Sequence, residues 1–339
     1  MKAIRIPAPG EMEVIDLPEP QPQAGEVKIK LHYVGFCGSD LNTFRGGNAM
    51  ARPQVIPGHE IGATIETLGP GCPDTLKAGQ AVTVNPYTNC GYCSSCRNGR
   101  PNACKNNETL GVQRDGAMRE YICLPWEKII PVGEKISVRD AALIEPMSVG
   151  FHAVARGQVS DIDTVLVFGC GMVGLGAIIR CAQRGARVIA ADISAEKLEL
   201  ARKVGATYTI NSREEDLLTK VNEYTSGMGA DVVIEAVGSP ATYVSAIDAV
   251  CFTGRVVCIG YSKSDVSFQT KFFVQKELDI RGSRNATPDD FRAVIRYMEQ
   301  QRMPMDCFIS GIVTPEKALD AMKDWAANPG QVFRILVEF

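Results

Sequence analysis

Gly169-Cys170-Gly171-Met172-Val173-Gly174 follows the apolar run Thr164-Val165-Leu166-Val167-Phe168 without a break and opens a helical pattern. No other stretch limits the fold as tightly. A buried strand that turns at once into a helix through spaced glycines begins a strand-helix-strand unit on a parallel sheet. The first two glycines permit the tight turn and close backbone approach, and the helix N-terminus offers free N–H groups to a pyrophosphate. Helix packing alone would also use a glycine run, but the second half of the fingerprint is present. The next strand, RVIAAD, ends at Asp192, where a carboxylate accepts both ribose hydroxyls of an adenosine and repels a 2′-phosphate, which selects NAD over NADP. The dinucleotide residues expected are therefore Gly169, Gly171, Met172, Val173, Gly174 and Asp192. Lys197, one turn into the following helix, either reaches the same ribose or is a solvated helix lysine.

The alternation of buried strand and amphipathic helix continues through ATYTI, ADVVIEAVG and RVVCIG, so residues 150–284 are expected to form a doubly wound parallel sheet. Ser194 is placed to cap AEKLELARKV and Gly205 to end it. The first third is written differently. In EVKIKLHYVGF the apolar side chains alternate with polar ones, and ATIETLG and AVTVNPY follow between Gly/Pro turns, which predicts an antiparallel, barrel-like domain through about residue 149. Two helix starts, Thr287-Pro288-Asp289-Asp290 and Thr314-Pro315-Glu316, precede a closing strand VFRILVEF, and 285–339 is expected to rejoin the first domain.

Within that first domain Cys90, Cys93, Cys96 and Cys104 are spaced C-x2-C-x2-C-x7-C in a loop of small and polar residues. The N-terminal segment MKAIRIPAPGEMEVIDLPEP has no apolar core of signal-peptide length, so a cytoplasmic location is expected, and there thiols stay reduced. Four thiolates on short turns then converge on a tetrahedral Zn2+ and leave no position open, which makes loop 90–104 a structural zinc site. Zinc loops also occur in nucleic-acid binders, but 36 Lys+Arg against 39 Asp+Glu leave no basic excess to neutralise phosphates. The longest apolar run is cut by glycines and stops at Arg180, short of a bilayer span. A soluble enzyme is the main expectation, and a non-enzymatic zinc-containing binding protein the distant alternative.

Further metal-capable residues are scattered: Cys37 in GFCGSD, His59 and Glu60 in PGHE, and Glu145 in IEP. Singly, each has a bland description as a buried thiol, a core histidine or a capping acid. Together with the cysteine loop, EPMSVGFHAVARG and GCGMVG, in that order, they make the whole chain resemble the zinc-dependent medium-chain alcohol dehydrogenases, and especially their polyol and sugar-acid branch. The resemblance implies an α/β protein with a Rossmann NAD-binding domain beside a mainly antiparallel, GroES-like catalytic domain. It also implies two zinc ions per chain, one catalytic and one structural. The family's usual Cys2His catalytic set is altered here, because Glu145 stands where the second cysteine would be. The resemblance therefore implies Cys37, His59 and a carboxylate as ligands, with Glu60 and Glu145 able to exchange between direct and water-mediated contact. Ser39 matches the hydroxyl that takes the alcohol proton, and Asp40 the acid that orients the ligand histidine. The histidine that often relays that proton to solvent is Asn42 here. His152 is a candidate replacement, although packing near the cofactor is its stronger description, and His32 has a structural reading only.

A carboxylate in place of a thiolate makes the zinc site harder and more polar, which suits polyhydroxylated small-molecule substrates. Arg284 and Asn285, in RGSRNATPDDF, lie in a segment that faces the cleft in this family and resemble the corresponding residues of dehydrogenases acting on hexonates such as L-galactonate or L-gulonate. Pairing of Arg284 with Asp289, Asp290 or a neighbouring subunit is the structural alternative. The resulting expectation is an NAD-dependent oxidation of a secondary hydroxyl of a sugar acid to a ketone, with polyol (sorbitol-like) or L-threonine oxidation as alternatives. No nucleic-acid or membrane partner is expected, and a homo-oligomer, dimer or tetramer, is.

Overall fold

The structure is a computed structural model that describes residues 1–300 and 305–339. The chain divides into two compact units, Met1–Pro146 with Thr287–Phe339, and Met147–Ala286.

In the second unit six strands form one parallel sheet, in the order Tyr208–Asn211, Arg187–Asp192, Thr164–Phe168, Ala230–Glu235, Val250–Cys258, Asp279–Gly282. The first strand in sequence, Thr164–Phe168, lies in the middle, so chain order reverses beside it and leaves a crevice at the carboxyl ends of the strands. Helices Met172–Gln183, Ala195–Lys203, Leu217–Tyr224 and Pro240–Ala249 connect the strands. Ser194 caps as its position predicts, its hydroxyl accepting the Lys197 N–H at 3.4 Å. A core of Leu166, Phe168, Ile189, Val233, Ile247 and Val256 fills the space between sheet and helices.

The first unit is built on a mainly antiparallel sheet running Gly311–Val313, Ile335–Glu338, Glu26–Gly35, Glu60–Leu68, Ala81–Val84, Ile129–Pro131, with Tyr121–Pro125 paired to Glu26–Gly35. Among the described residues its parallel pair joins Gly311–Val313 to Ile335–Glu338.

Two local readings differ from the structure. The segment up to residue 149 is not barrel-like at its end, because Ile144–Arg156 is a helix. It is buried on nearly every side, so no polar stripe marks it as helical, and Pro146 is tolerated because it falls in the first turn, where no intrahelical donor is needed. Thr314-Pro315-Glu316 starts only a 3-10 turn, Pro315–Lys317, and the helix proper is Ala318–Ala327. There Glu316 is drawn to Lys2, 2.6 Å away.

Candidate metal centre and dinucleotide site

Strands Glu26–Gly35 and Glu60–Leu68 pair antiparallel with Gly35 opposite Glu60. Cys37 comes just after the first strand and His59 just before the second, so this register delivers the thiol and the imidazole to the same end of the sheet. One ligand atom from each of Cys37, His59 and Glu60 lies within 4.8 Å of the others. Gly35 makes room for the carboxylate, since a Cβ there would fall 2.2 Å from Glu60 Oε2. Glu145, in the first turn of Ile144–Arg156, accepts a hydrogen bond from the buried Tyr87 hydroxyl, and its charge acts on both His59 and Glu60.

The electrostatics are those of a crowded, dry set of ligands. Burial pushes Glu60 up to about 7 against the opposing pull of Arg334. His59 is disfavoured as a cation by burial, yet the negative charge of Cys37, Asp40 and Glu145 holds it well above its ordinary value. Burial also raises Asp40, whose Oδ2 accepts the Cys37 N–H at 2.8 Å. Arg334 Nε lies 3.0 Å from Glu60 Oε2, but the pair is an ion pair by distance only, because neither atom has hydrogen-bond alignment.

Ser39 Oγ, Asp40 Oδ1, His59 Nδ1 and both Glu60 oxygens are buried without a hydrogen-bond partner. Polar atoms are rarely left so, because each costs its lost hydration. A thiolate, an imidazole and a carboxylate converging with spare lone pairs are a zinc donor set, so these residues fit the metal that the sequence implies.

The cysteine loop fits zinc on geometry alone. The Sγ atoms of Cys93 and Cys96 are 3.5 Å apart, those of Cys93 and Cys104 3.8 Å, and those of Cys104 and Cys90 3.6 Å. Zinc–sulfur bonds of about 2.3 Å in a tetrahedron require edges of about 3.8 Å, whereas a disulfide would need about 2.0 Å. The N–H groups of Cys90 and Asn106 point at Cys104 Sγ, both at 3.3 Å. Cys93 is pulled down to about 6, chiefly by the N–H groups of Cys96 and Lys105, while lost hydration and Cys93 itself push Cys96 up to about 11.

In the second unit Gly169 and Gly171 form the turn into Met172–Gln183, and Gly174 lies against it, where a Cβ would meet Gly169 O at 1.8 Å. Gly171 is different. Its φ of −73° is extended backbone and nothing lies within 4 Å of a Cβ built there. Neither backbone nor packing requires glycine at 171, so the open space in front of the helix N-terminus fits an approaching pyrophosphate. Asp192 ends its strand with Oδ2 accepting the Cys170 N–H at 2.7 Å and Oδ1 accepting the Ser194 N–H at 2.9 Å. Each oxygen keeps a lone pair for a ribose hydroxyl. The charge of Lys197 reaches the same turn at Cys170.

Arg284 and Asn285 lie at the end of the second unit, Asn285 with a left-handed φ of 55°, and both are engaged with other groups. His152 is buried in Ile144–Arg156 and His32 Nε2 lies 2.9 Å from Thr64 Oγ1. Tyr87 and Arg334 were not singled out by sequence reasoning. No local motif marks either, since their partners are remote in the chain.

A thiolate cage and a mixed cysteine, histidine and carboxylate centre in one unit, with a dinucleotide fold in the other, define a metal-dependent oxidoreductase. The chain belongs to the zinc-binding alcohol dehydrogenases: residues 23–134 match the alcohol dehydrogenase GroES-like domain and residues 173–300 the zinc-binding dehydrogenase domain. It is 36% identical to L-galactonate-5-dehydrogenase of Escherichia coli K12 over 86% of this chain and 85% of that protein. It is 34% identical to sorbitol dehydrogenase of Bacillus subtilis over 92% of this chain and 87% of that one. An alcohol dehydrogenase of Escherichia coli CFT073, solved in complex with NADH, superimposes with a TM-score of 0.92 at 29% identity, covering 100% of this chain and 99% of its own. The protein is accordingly a dehydrogenase that works with zinc and a nicotinamide dinucleotide. Among the described residues no helix is long and apolar enough to cross a membrane.

Proposed function

We propose that the protein oxidises a secondary hydroxyl of a sugar acid, a hexonate, to a ketone with NAD. The observation that carries this reading is the pair of buried carboxylates, Glu60 and Glu145, beside Cys37 and His59. A centre so rich in oxygen is hard and polar and favours a substrate that offers more than one oxygen. The likeness to L-galactonate-5-dehydrogenase supports an acid among such substrates, and the likeness to sorbitol dehydrogenase supports a second reading, a neutral polyol.

In this proposal Cys37, His59 and Glu60 hold the catalytic zinc, and Glu145 faces it through solvent. Zinc supplies Lewis acidity that makes a carbinol hydroxyl acidic near neutral pH, and the dinucleotide supplies the hydride acceptor. Ser39 Oγ, buried and without a partner, takes the carbinol proton as it passes its own on through the ribose and water, because Asn42 cannot accept and release a proton. Asp40, beside His59 and bonded to the Cys37 N–H, keeps both ligands in orientation. Gly169, Gly171, Met172, Val173 and Gly174 cradle the pyrophosphate, and Asp192, with Lys197 nearby, takes the ribose and excludes a 2′-phosphate. The zinc-spaced cysteine loop supports a reducing, cytoplasmic setting, where thiols stay free to bind metal. The sheet-edge strand Asp279–Gly282, with Ile280 exposed, supports self-association as a dimer or tetramer.

Reduction of NAD and of NADP by the purified protein, measured across aldonates, polyols and L-threonine, tests the proposal. The expected result is highest kcat/KM on an aldonate with NAD. A neutral polyol or L-threonine that outperforms every aldonate replaces the sugar-acid reading, and preference for NADP removes the role of Asp192.

A further inference from the structure

Tyr87 ties the two metal regions of the first unit together. Its hydroxyl donates to Glu145 Oε1, and both side chains are buried, at 5% and 4% exposure. Its backbone sits three residues before Cys90, at the neck of the cysteine loop. That neck is laced shut. Tyr87 bridges Thr109, Thr88 N–H donates to Glu108 O at 3.1 Å, Leu110 N–H donates to Pro86 O at 3.1 Å, and Lys128 Nζ donates to Tyr87 O at 2.7 Å. Segment 86–88 on one side of the loop is therefore held against 108–110 on the other, which fixes the backbone from which the Tyr87 ring reaches Glu145.

We propose that Tyr87 is a positioning residue of the catalytic metal centre: it occupies one oxygen of Glu145 and so limits how that carboxylate approaches the metal, with the neck of the cysteine loop setting where the hydroxyl lies. This rests on the reading of Cys37, His59, Glu60 and Glu145 as a zinc centre. A carboxyl group with one oxygen held by a phenol presents chiefly the other to the metal. Released by Tyr87, that oxygen of Glu145 can also turn toward a cation and compete with Glu60. A hydrogen bond to a charged group is worth about 1.5–3 kcal/mol, so its loss corresponds to a change of about 10- to 100-fold.

The test uses the full chain with cobalt in place of zinc, because the visible bands of cobalt report its ligand geometry. Y87F keeps the ring and removes the donor. The expected results are a shifted absorption envelope at the catalytic centre, a change of about tenfold or more in the rate of cobalt loss from that centre to a chelator, and a fall in kcat that exceeds any change in KM. In the E145Q background Y87F should add much less, because a residue acting through Glu145 is not additive with it. A Y87F protein with the native spectrum and native metal-loss rate overturns the proposal, and so does an equal effect of Y87F with and without Glu145. If Y87F does not fold, 3-fluorotyrosine placed at position 87 of the native chain serves: its 19F resonance should move when the catalytic metal is removed, and an unmoved resonance counts against the proposal. A native chain that takes up cobalt only at the cysteine loop overturns the underlying reading of the centre instead, an outcome recognisable before any variant is made.

Discussion

The Arg334 guanidinium lies 3.0 Å from the Glu60 carboxylate with both side chains shut away from water, at 6% and 0% exposure. Arg334 also donates to Phe36 O at 2.6 Å, so it is anchored on the segment that leads into Cys37. Gly35 lies against the same carboxylate oxygen, where any larger side chain would collide with it. One oxygen of Glu60 is thus approached by an arginine from the end of the chain and a glycine from its beginning, and the carboxylate lies beside Cys37 and His59.

Replacing Arg334 by Met leaves Glu60 buried beside Glu145 without its cation. Breaking a buried pair by removing one partner costs about 3–5 kcal/mol. On the proposed ligand set zinc supplies positive charge to Glu60, so the loss should be largest after the catalytic zinc has been removed. Thermal unfolding of R334M and native protein, each with and without that zinc, checks this. Equal penalties in both states would show that Glu60 does not engage the metal.

Two glycines of one hexapeptide should respond in opposite ways. Gly171→Ala meets no atom, so its unfolding temperature should match the native one while KM for NAD rises, by about tenfold if about 1.4 kcal/mol of pyrophosphate contact is lost. Gly174→Ala forces a Cβ onto Gly169 O and should cost about 1–3 kcal/mol of stability or more, as overpacking does. Calorimetry with steady-state kinetics separates them. A destabilised G171A with native KM would mean that packing alone explains the motif.

These residues also show why some of the protein was legible from sequence and some was not. The parallel sheet announces itself because each of its signals is local: an apolar run, a glycine turn, a capping serine such as Ser194. The cysteine cage is legible for the same reason, since its four ligands lie within fifteen consecutive residues. Cys37 and His59 are farther apart, and it is the pairing of Gly35 with Glu60 that joins them. Arg334 and Tyr87 reach their partners only through tertiary packing, so nothing adjacent in sequence marks them. The helix Ile144–Arg156 escaped because burial on nearly all sides erases the periodicity by which helices are read.

The cysteine loop should lose its metal with acid. Cys93 is held ionised down to about 6, chiefly by the Cys96 and Lys105 N–H groups, so its contribution is complete above the free thiol value and lost as pH falls through about 6. Cys96, pushed up to about 11 without a cation, must give up its proton when metal binds, so binding releases protons and weakens as pH falls. Zinc released to an indicator dye is expected to rise from the loop as the pH is lowered into the acid range. Cys96→Ser should release that zinc already at neutral pH and lower the unfolding temperature, whereas Cys37→Ser should leave the loop zinc and the fold in place and abolish turnover. Total zinc near one per chain in fully active protein would contradict the two-site reading.

The substrate proposal is most exposed at Arg284. Zinc and dinucleotide select only the reacting carbinol, so a flexible six-carbon acid with several hydroxyls needs an anchor at its far end to present one of them. A guanidinium forks onto a carboxylate with two parallel bonds, a geometry that lysine cannot copy. Arg284 is already engaged in the fold, so an anchoring role means trading or sharing that partner when substrate arrives. With about 1.5–3 kcal/mol in a hydrogen bond to a charged group, Arg284→Ala should lower kcat/KM for an aldonate by about 10- to 100-fold and leave a neutral polyol of the same length nearly unchanged. Arg284→Lys should recover only part of the loss, because charge returns without the fork. Equal losses on acid and polyol would make Arg284 a structural or cofactor-linked residue, and the preference for a sugar acid would then have to be carried by another cation.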